Sequence, residues 1–175
     1  MRALSWRNSR LNCSRWGLPP PASMTLPFEY QNPTLQFETF MADARDCAGL
    51  ATTNMAWNMV VGVLHAFRNR LAVNEALAFS AVLPPVVRAL FIEDWNPEQA
   101  VLPFGEPADW LADVRSVRAQ HNFSPPDAVA AVAAALRRHV DARAFDDVLA
   151  HLPAEARSYW QSPKPSRAGN ASCAA

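Results

Sequence analysis

Four histidines and the acids near them are the first candidates for chemistry in this chain. Asp147 and His151 lie four residues apart, so a helix would present both side chains on one face, and His139 lies just upstream. An imidazole and a carboxylate held together in this way could bind a metal ion. A solvated pair on a helix surface is the simpler interpretation of this spacing. We therefore predict no metal site and keep the three residues as weak candidates.

Two arginines stand at equivalent places after a Leu-Pro step. Arg88 follows Pro84 by four residues, and Arg157 follows Pro153 by four. Their guanidinium groups could face a shared acidic ligand or a partner peptide, since the planar fork matches a carboxylate. Alternatively, each arginine ties its own short helix to a nearby carboxylate or to the exposed carbonyls of the preceding helix. We favour the alternative, because gene duplication alone would produce a symmetric pair.

Trp95 and Trp160 close two similar segments of the chain. An exposed tryptophan at either place would mark an interface. The candidate residues for binding a ligand or a partner are therefore Arg88, Arg157, Trp95 and Trp160.

Asp43 and Asp113 also recur at equivalent places and could form a general acid–base pair. Both lie off the apolar stripe, so we expect them to be solvated. The sequence contains no glycine-rich phosphate loop, no Gly-x-Ser-x-Gly elbow and no Cys–His–Asn arrangement. It predicts no catalytic residue and no cofactor, and an enzyme is the less favoured class.

The paired arginines, tryptophans and aspartates named above belong to a pattern that the chain contains twice. The run FMADAR at 40–45 returns 70 residues later as WLADVR at 110–115. The Leu-Pro step at 83–84 returns 69 residues later at 152–153. Self-similarity of this length indicates two copies of one supersecondary unit, each burying a face against its twin.

Apolar residues recur at helical spacing in both copies, so the predicted fold is all-α. Two tandem pseudo-symmetric repeats, 34–95 and 107–160, of about four helices each are expected to pack as one bundle around their long second helices. Trp57 is placed on the apolar stripe of the first repeat, and Ser124 is the predicted N-cap of the second long helix. The residues expected to be buried in these two helices are Val60, Phe67, Val129 and Leu136. The predicted helices lie at 34–48, 54–71, 74–82 and 85–92, then at 107–119, 125–140, 142–151 and 154–160.

Charge divides the chain into three parts. Residues 1–23 carry four arginines and no acid, whereas residues 24–160 carry ten arginines against sixteen acids, a net charge of −6. We predict a disordered basic extension over 1–23, or an over-long start with Met24 as the true initiator. A single all-α domain over 24–160 and a disordered tail over 161–175 follow. An acidic domain without a basic stripe disfavours nucleic-acid binding.

Three widely spaced cysteines form neither a disulfide framework nor a zinc pattern, and they suit a reducing compartment. No apolar run approaches the length of a membrane span. The predicted location is cytoplasmic, with no membrane partner.

The repeated anchors resemble a known family. The first helix of each copy contains an aromatic-Leu-x-x-Val-like run, a later helix ends in Arg68-Asn69-Arg70-Leu71, and Leu-Pro-x-x-x-Arg and a closing Trp follow. In this order, over about residues 34–160, they resemble the bacterial domain family of unknown function numbered 2267. The resemblance implies an all-α fold and no assigned activity, so no catalytic residue is carried over. The second repeat departs from the pattern, with Arg-Arg-His-Val at 137–140.

The sequence favours a non-enzymatic protein-interaction or regulatory module. An exposed apolar patch near the short helices would support this class, whose partner would be an unknown protein or a second copy of the chain. The alternative is a binder of a small ligand or metal with a site between the two repeats. A cleft that collects at least three His, Asp and Arg side chains would favour that alternative.

Overall fold

The computed structural model describes residues 27–160, apart from the side chains of residues 28 and 29. The predicted extension over 1–23 and the predicted tail over 161–175 lie outside the described residues. Within 27–160 the chain forms helices joined by turns, without a strand. The helices are α1 (Phe28–Gln31), α2 (Pro33–Cys47), α3 (Thr53–Arg68), α4 (Val73–Ala81), α5 (Pro85–Ile92), α6 (Pro107–Ser116), α7 (Ala128–Arg137), α8 (Ala142–His151) and α9 (Ala154–Trp160).

The all-α prediction is confirmed. Helices α2 to α5 and α6 to α9 occupy the places predicted for the four helices of each repeat, and only α1 was not expected. Helix α2 packs against α7, and α6 packs against α3, so each first helix lies on the second helix of the other half. The interpretation of these halves as repeats of one unit stays a prediction.

Local signals explain where helix α2 ends and where helix α3 begins. Helix α2 stops before Gly49, whose φ of +62° suits a residue without a Cβ, and the Leu50 amide closes the end by donating to the Arg45 carbonyl at 3.0 Å. Helix α3 begins after Thr52, whose hydroxyl accepts a hydrogen bond from the Met55 amide at 3.3 Å. These ends fix the register in which α3 presents its apolar side to the core.

The long helix of the second half, α7, begins later than predicted. Helix α7 starts at Ala128, so the prediction that Ser124 is its N-cap is wrong. The Ser124 hydroxyl lies 2.5 Å from Asn122 Oδ1 instead, and it is buried. Because Asn122 also reaches the carbonyls of Val114 and Val117, it anchors the segment before α7 to α6.

The core follows the predicted stripes of α3 and α7. All four residues expected to be buried are buried: Val60, Phe67, Val129 and Leu136. Trp57 is an exception, since 39% of it is exposed and its ring meets Phe37 edge-on at 5.9 Å. Phe67 lies at the centre of an aromatic cluster that joins α3, α4, α8 and α9.

Gly62 permits the close crossing of α3 and α6. A Cβ atom at this position would lie 2.5 Å from the Val114 carbonyl oxygen and 3.0 Å from Val114 Cγ1. The obstructing atom is backbone, so the two helices would have to separate. We expect Gly62→Ala to lower the free energy of unfolding by about 1–3 kcal/mol, although alanine normally favours a helix. Urea denaturation measures the change, and an unchanged or higher stability would contradict the close crossing.

Candidate functional site

A cleft of about 600 Å³ opens between the two halves of the molecule. It is bounded by the first turns of α2, α5 and α8 and by the ends of α4 and α7. Its polar lining consists of Gln36, Arg88, Arg138, His139 and Asp141. Its apolar lining includes Phe37, Val82, Val86, Val140 and three prolines. We call this the inter-half cleft.

Two corners of the chain position the polar side chains. The Leu83-Pro84-Pro85 corner ends α4 and starts α5, because proline lacks the amide hydrogen that would continue the first helix. Asp141 is the N-cap of α8, and its side chain accepts a hydrogen bond from the Ala144 amide at 2.7 Å. The first turns of α2, α5 and α8 carry partial positive charge, so three helix ends of one sign surround the cleft.

Arg88 is held by the helix that precedes its own. Its Nε donates to the Ser80 carbonyl at 3.0 Å, and its Nη2 donates to the carbonyls of Ala81 at 3.2 Å and Leu83 at 3.0 Å. Its Nη1 donates to the Tyr30 hydroxyl at 3.4 Å. No carboxylate of the described residues forms an ion pair with Arg88. The guanidinium is thus fixed in place, and no carboxylate among the described side chains opposes its charge by an ion pair.

Asp43 lies behind the cleft and is paired with two basic side chains, whereas we expected it to be solvated; its side chain is 29% exposed. His139 Nε2 donates to Asp43 Oδ2 at 2.7 Å, and Arg138 Nη1 lies 3.6 Å from Asp43 Oδ1. The Phe40 ring packs edge-on against the imidazole, with ring centroids 5.7 Å apart. One carboxylate of α2 therefore opposes both basic groups that follow α7.

Asp113 makes the reciprocal contact and is likewise not simply solvated. Its Oδ2 lies 2.5 Å from Arg70 Nη2, and the Arg70 side chain is only 3% exposed. Arg70 also donates to the carbonyls of Ala66 at 2.7 Å and Phe104 at 3.3 Å. In both halves, an aspartate of the first helix pairs with a basic residue just past the second helix of the other half.

Arg68, at the end of α3, is also buried. Its Nη1 donates to the carbonyls of Phe91 and Glu93, each at 2.8 Å, and its guanidinium lies 5.7 Å from the centre of the Trp95 ring. Burial lowers the pKa of this guanidinium from its usual value. Arg68 thus ties the end of α3 to the end of α5.

The remaining predicted site residues lie away from the cleft. Trp160 is 2% exposed inside the aromatic cluster, so it is not the exposed tryptophan that would mark an interface. Trp95 is half-buried under Arg68. Arg157 is half-buried and is absent from the described lining of the cleft.

The weak metal candidates do not come together as a ligand set. His151 Nδ1 donates to the Asp147 backbone carbonyl at 2.7 Å, whereas His139 faces Asp43. Among residues 27–160, no three His, Cys, Asp or Glu side chains are arranged to hold a metal ion. Only His139 of the three contributes to the cleft.

Sequence reasoning missed most of the cleft. Arg138, Asp141 and Gln36 were not proposed as site residues, and they join Arg88 and His139 only because α2, α5 and α8 meet. One signal was available: a basic pair at 137–138, followed by a histidine and a helix-capping aspartate, at the corner equivalent to Arg68–Ala72.

The fold and this cleft define an all-helical protein with a partly polar pocket between its halves. None of the helices within 27–160 is both long and apolar enough to cross a membrane. The sequence matches the family described as uncharacterized conserved protein, DUF2267, over residues 37–159. The chain belongs to this family, as the resemblance indicated. No curated protein matches the chain.

Proposed function

We propose that this protein is a non-enzymatic binding module that takes a small organic anion in the inter-half cleft. The observation that carries the proposal is the collection of Arg88, Arg138, His139 and Asp141 around one cavity of about 600 Å³. This meets the criterion that the sequence set for a ligand binder. Small-molecule sites typically have volumes of about 300–1,000 Å³ and combine apolar walls with a few polar groups.

The charge of the cleft supports an anionic ligand. Among the basic residues that line the cleft, Arg88 is the one with which no described carboxylate forms an ion pair. Its hydrogen bonds to backbone carbonyls fix the position of the guanidinium group. A fixed guanidinium loses little side-chain entropy when it binds a carboxylate. The first turns of α2 and α5, which no described side chain caps, add partial positive charge.

The lining also supports binding rather than catalysis. Its described polar side chains are an amide, two guanidinium groups, an imidazole bonded to Asp43 and the carboxylate that caps α8. No hydroxyl or thiol nucleophile is among them. A regulatory role, in which the bound anion changes how the two halves pack, fits this set. A cytoplasmic location remains part of the proposal.

Octanoate tests the proposal, because it joins a carboxylate to an alkyl chain. By isothermal titration calorimetry, we expect saturable binding to the full chain and about tenfold weaker binding by Arg88→Gln. Arg157→Gln is the matched control, since it removes the equivalent arginine away from the cleft, and should bind like the wild type. Val86→Glu places a carboxylate in the lining without touching the Arg88 bonds, and should also weaken binding.

Two results would refute the anion-binding function. One is a wild-type protein that binds no octanoate, and the other is equal binding by the wild type, Arg88→Gln and Val86→Glu. Thermal unfolding of each variant must accompany the titration, because Arg88 also holds the end of α4. Loss of binding by Val86→Glu at unchanged stability would separate the ligand contact from the structural one.

A protein-interaction module is the second candidate. Val73 and Leu77 lie four residues apart on α4 and are 40% and 56% exposed, and Ile92 at the end of α5 is 46% exposed. Exposed apolar side chains near a short helix are the feature that the sequence analysis named for such a module. The same titration separates the candidates, since an interaction module has no reason to bind octanoate through Arg88.

A further inference from the structure

The charges around the inter-half cleft indicate which kind of organic anion it binds. This inference rests on the proposed function. We infer that the cleft selects an amphipathic monocarboxylate over a dianion of similar shape, and that Asp43 sets this selectivity. Asp43 acts through Arg138 and His139, because it bonds to both side chains from behind the lining.

Asp43 already occupies two of the three basic groups of the cleft. Its two carboxylate oxygens reach Arg138 at 3.6 Å and His139 at 2.7 Å. An incoming anion that used these groups would have to compete with a carboxylate that belongs to the protein and loses no translational entropy by staying. Arg138 and His139 are therefore poor anchors for a second negative charge.

The surroundings of Arg88 differ from those of Arg138 and His139. Its guanidinium donates to backbone carbonyls and to the neutral Tyr30 hydroxyl, and no described carboxylate forms an ion pair with it. One positive charge that no described carboxylate opposes matches one carboxylate on the ligand. A second negative charge on the ligand would approach the Asp141 carboxylate in the lining and the Asp43 carboxylate behind Arg138 and His139, and both disfavour it by like-charge repulsion.

The apolar lining determines the rest of the ligand. Phe37, Val82, Val86 and Val140 line the same cavity as Arg88. A carboxylate without an apolar body would leave these side chains in contact with water, whereas an alkyl or aryl body would cover them. The favourable free energy of burying apolar surface grows with the area covered, so the body of the ligand supplies much of the affinity.

Octanoate and octyl phosphate compare one and two negative charges on the same alkyl chain. At pH 8 the phosphate monoester is a dianion, because its second pKa is about 6. We expect the wild-type full chain to bind octanoate at least about tenfold more tightly than octyl phosphate. Asp43→Asn should reduce this ratio about tenfold by tightening the binding of octyl phosphate. Asp113→Asn is the matched control and should leave the ratio unchanged.

Asp141→Asn is a second variant for the same test, because asparagine also caps a helix and so preserves the start of α8. It should shift the ratio in the same direction as Asp43→Asn. The inference is overturned if the wild type prefers octyl phosphate, or if Asp43→Asn and Asp113→Asn change the ratio equally. In either case Arg88-dependent binding of octanoate would still support the proposed function. Absence of any binding by the wild type would refute both.

Discussion

Replacing Trp160 with alanine is expected to lower the free energy of unfolding by about 3–5 kcal/mol. The indole is 2% exposed and lies 5.2 Å from the Phe67 ring, 5.4 Å from Phe79 and 6.0 Å from Phe145, measured between centroids. These rings come from three helices, so a cavity left by the indole would border α3, α4 and α8 together. A loss of this size is a large part of the 5–15 kcal/mol that typically stabilises a domain.

Trp95→Ala is the control for this prediction, because the sequence placed both tryptophans in the same role. Trp95 is half-buried at the edge of the core and lies under the Arg68 guanidinium, so its removal should cost about 1 kcal/mol. Guanidinium chloride denaturation, followed by circular dichroism, compares the two. Equal losses would contradict the prediction that Trp160 packs more extensively in the core than Trp95 does.

Trp160→Phe provides a milder variant if the alanine variant does not fold. Among the described residues, the buried Trp160 Nε1 has no hydrogen-bond acceptor. Phenylalanine removes this unsatisfied donor while keeping most of the ring volume, so its cost should be well below that of alanine.

The parts of the fold that could be predicted from the sequence depend on local periodicity. Burial of Val60, Phe67, Val129 and Leu136 imposes a helical spacing on the chain, and this spacing is visible without knowing which helices meet. The contacts of Arg88 with the preceding helix were also foreseeable, because they span only five to eight residues. Leu-Pro corners restrict the chain within the same short range.

The parts that could not be predicted depend on contacts between distant residues. Asp43 and His139 are 96 residues apart, and Asp113 and Arg70 are 43 apart, so position relative to the apolar stripe of one helix could not reveal either pair. The inter-half cleft requires the first turns of α2, α5 and α8 to meet. Even a local signal failed at Ser124, because Asn122 offered its hydroxyl a competing partner.

The second prediction concerns Arg70, whose replacement should destabilise the contact between α3 and α6. We expect Arg70→Met to lower the free energy of unfolding by about 2–4 kcal/mol. Methionine fills a similar volume, so the loss reports the hydrogen bonds and the ion pair rather than a cavity. The Ala66 carbonyl near the end of α3 would lose the donor that Arg70 Nη1 supplies at 2.7 Å.

The loss of Arg70 should cost less free energy at its other two hydrogen-bond acceptors. The Phe104 carbonyl keeps the Trp110 indole as a donor, and the Asp113 side chain is 40% exposed, so water can solvate its carboxylate. Asp113→Asn should therefore cost less than about 1 kcal/mol, as is typical of an exposed partner in an ion pair. If urea denaturation gave equal losses for Arg70→Met and Asp113→Asn, the charge pair would dominate. A larger loss for Arg70→Met would place the stabilisation in the buried guanidinium and the helix-end carbonyl it satisfies.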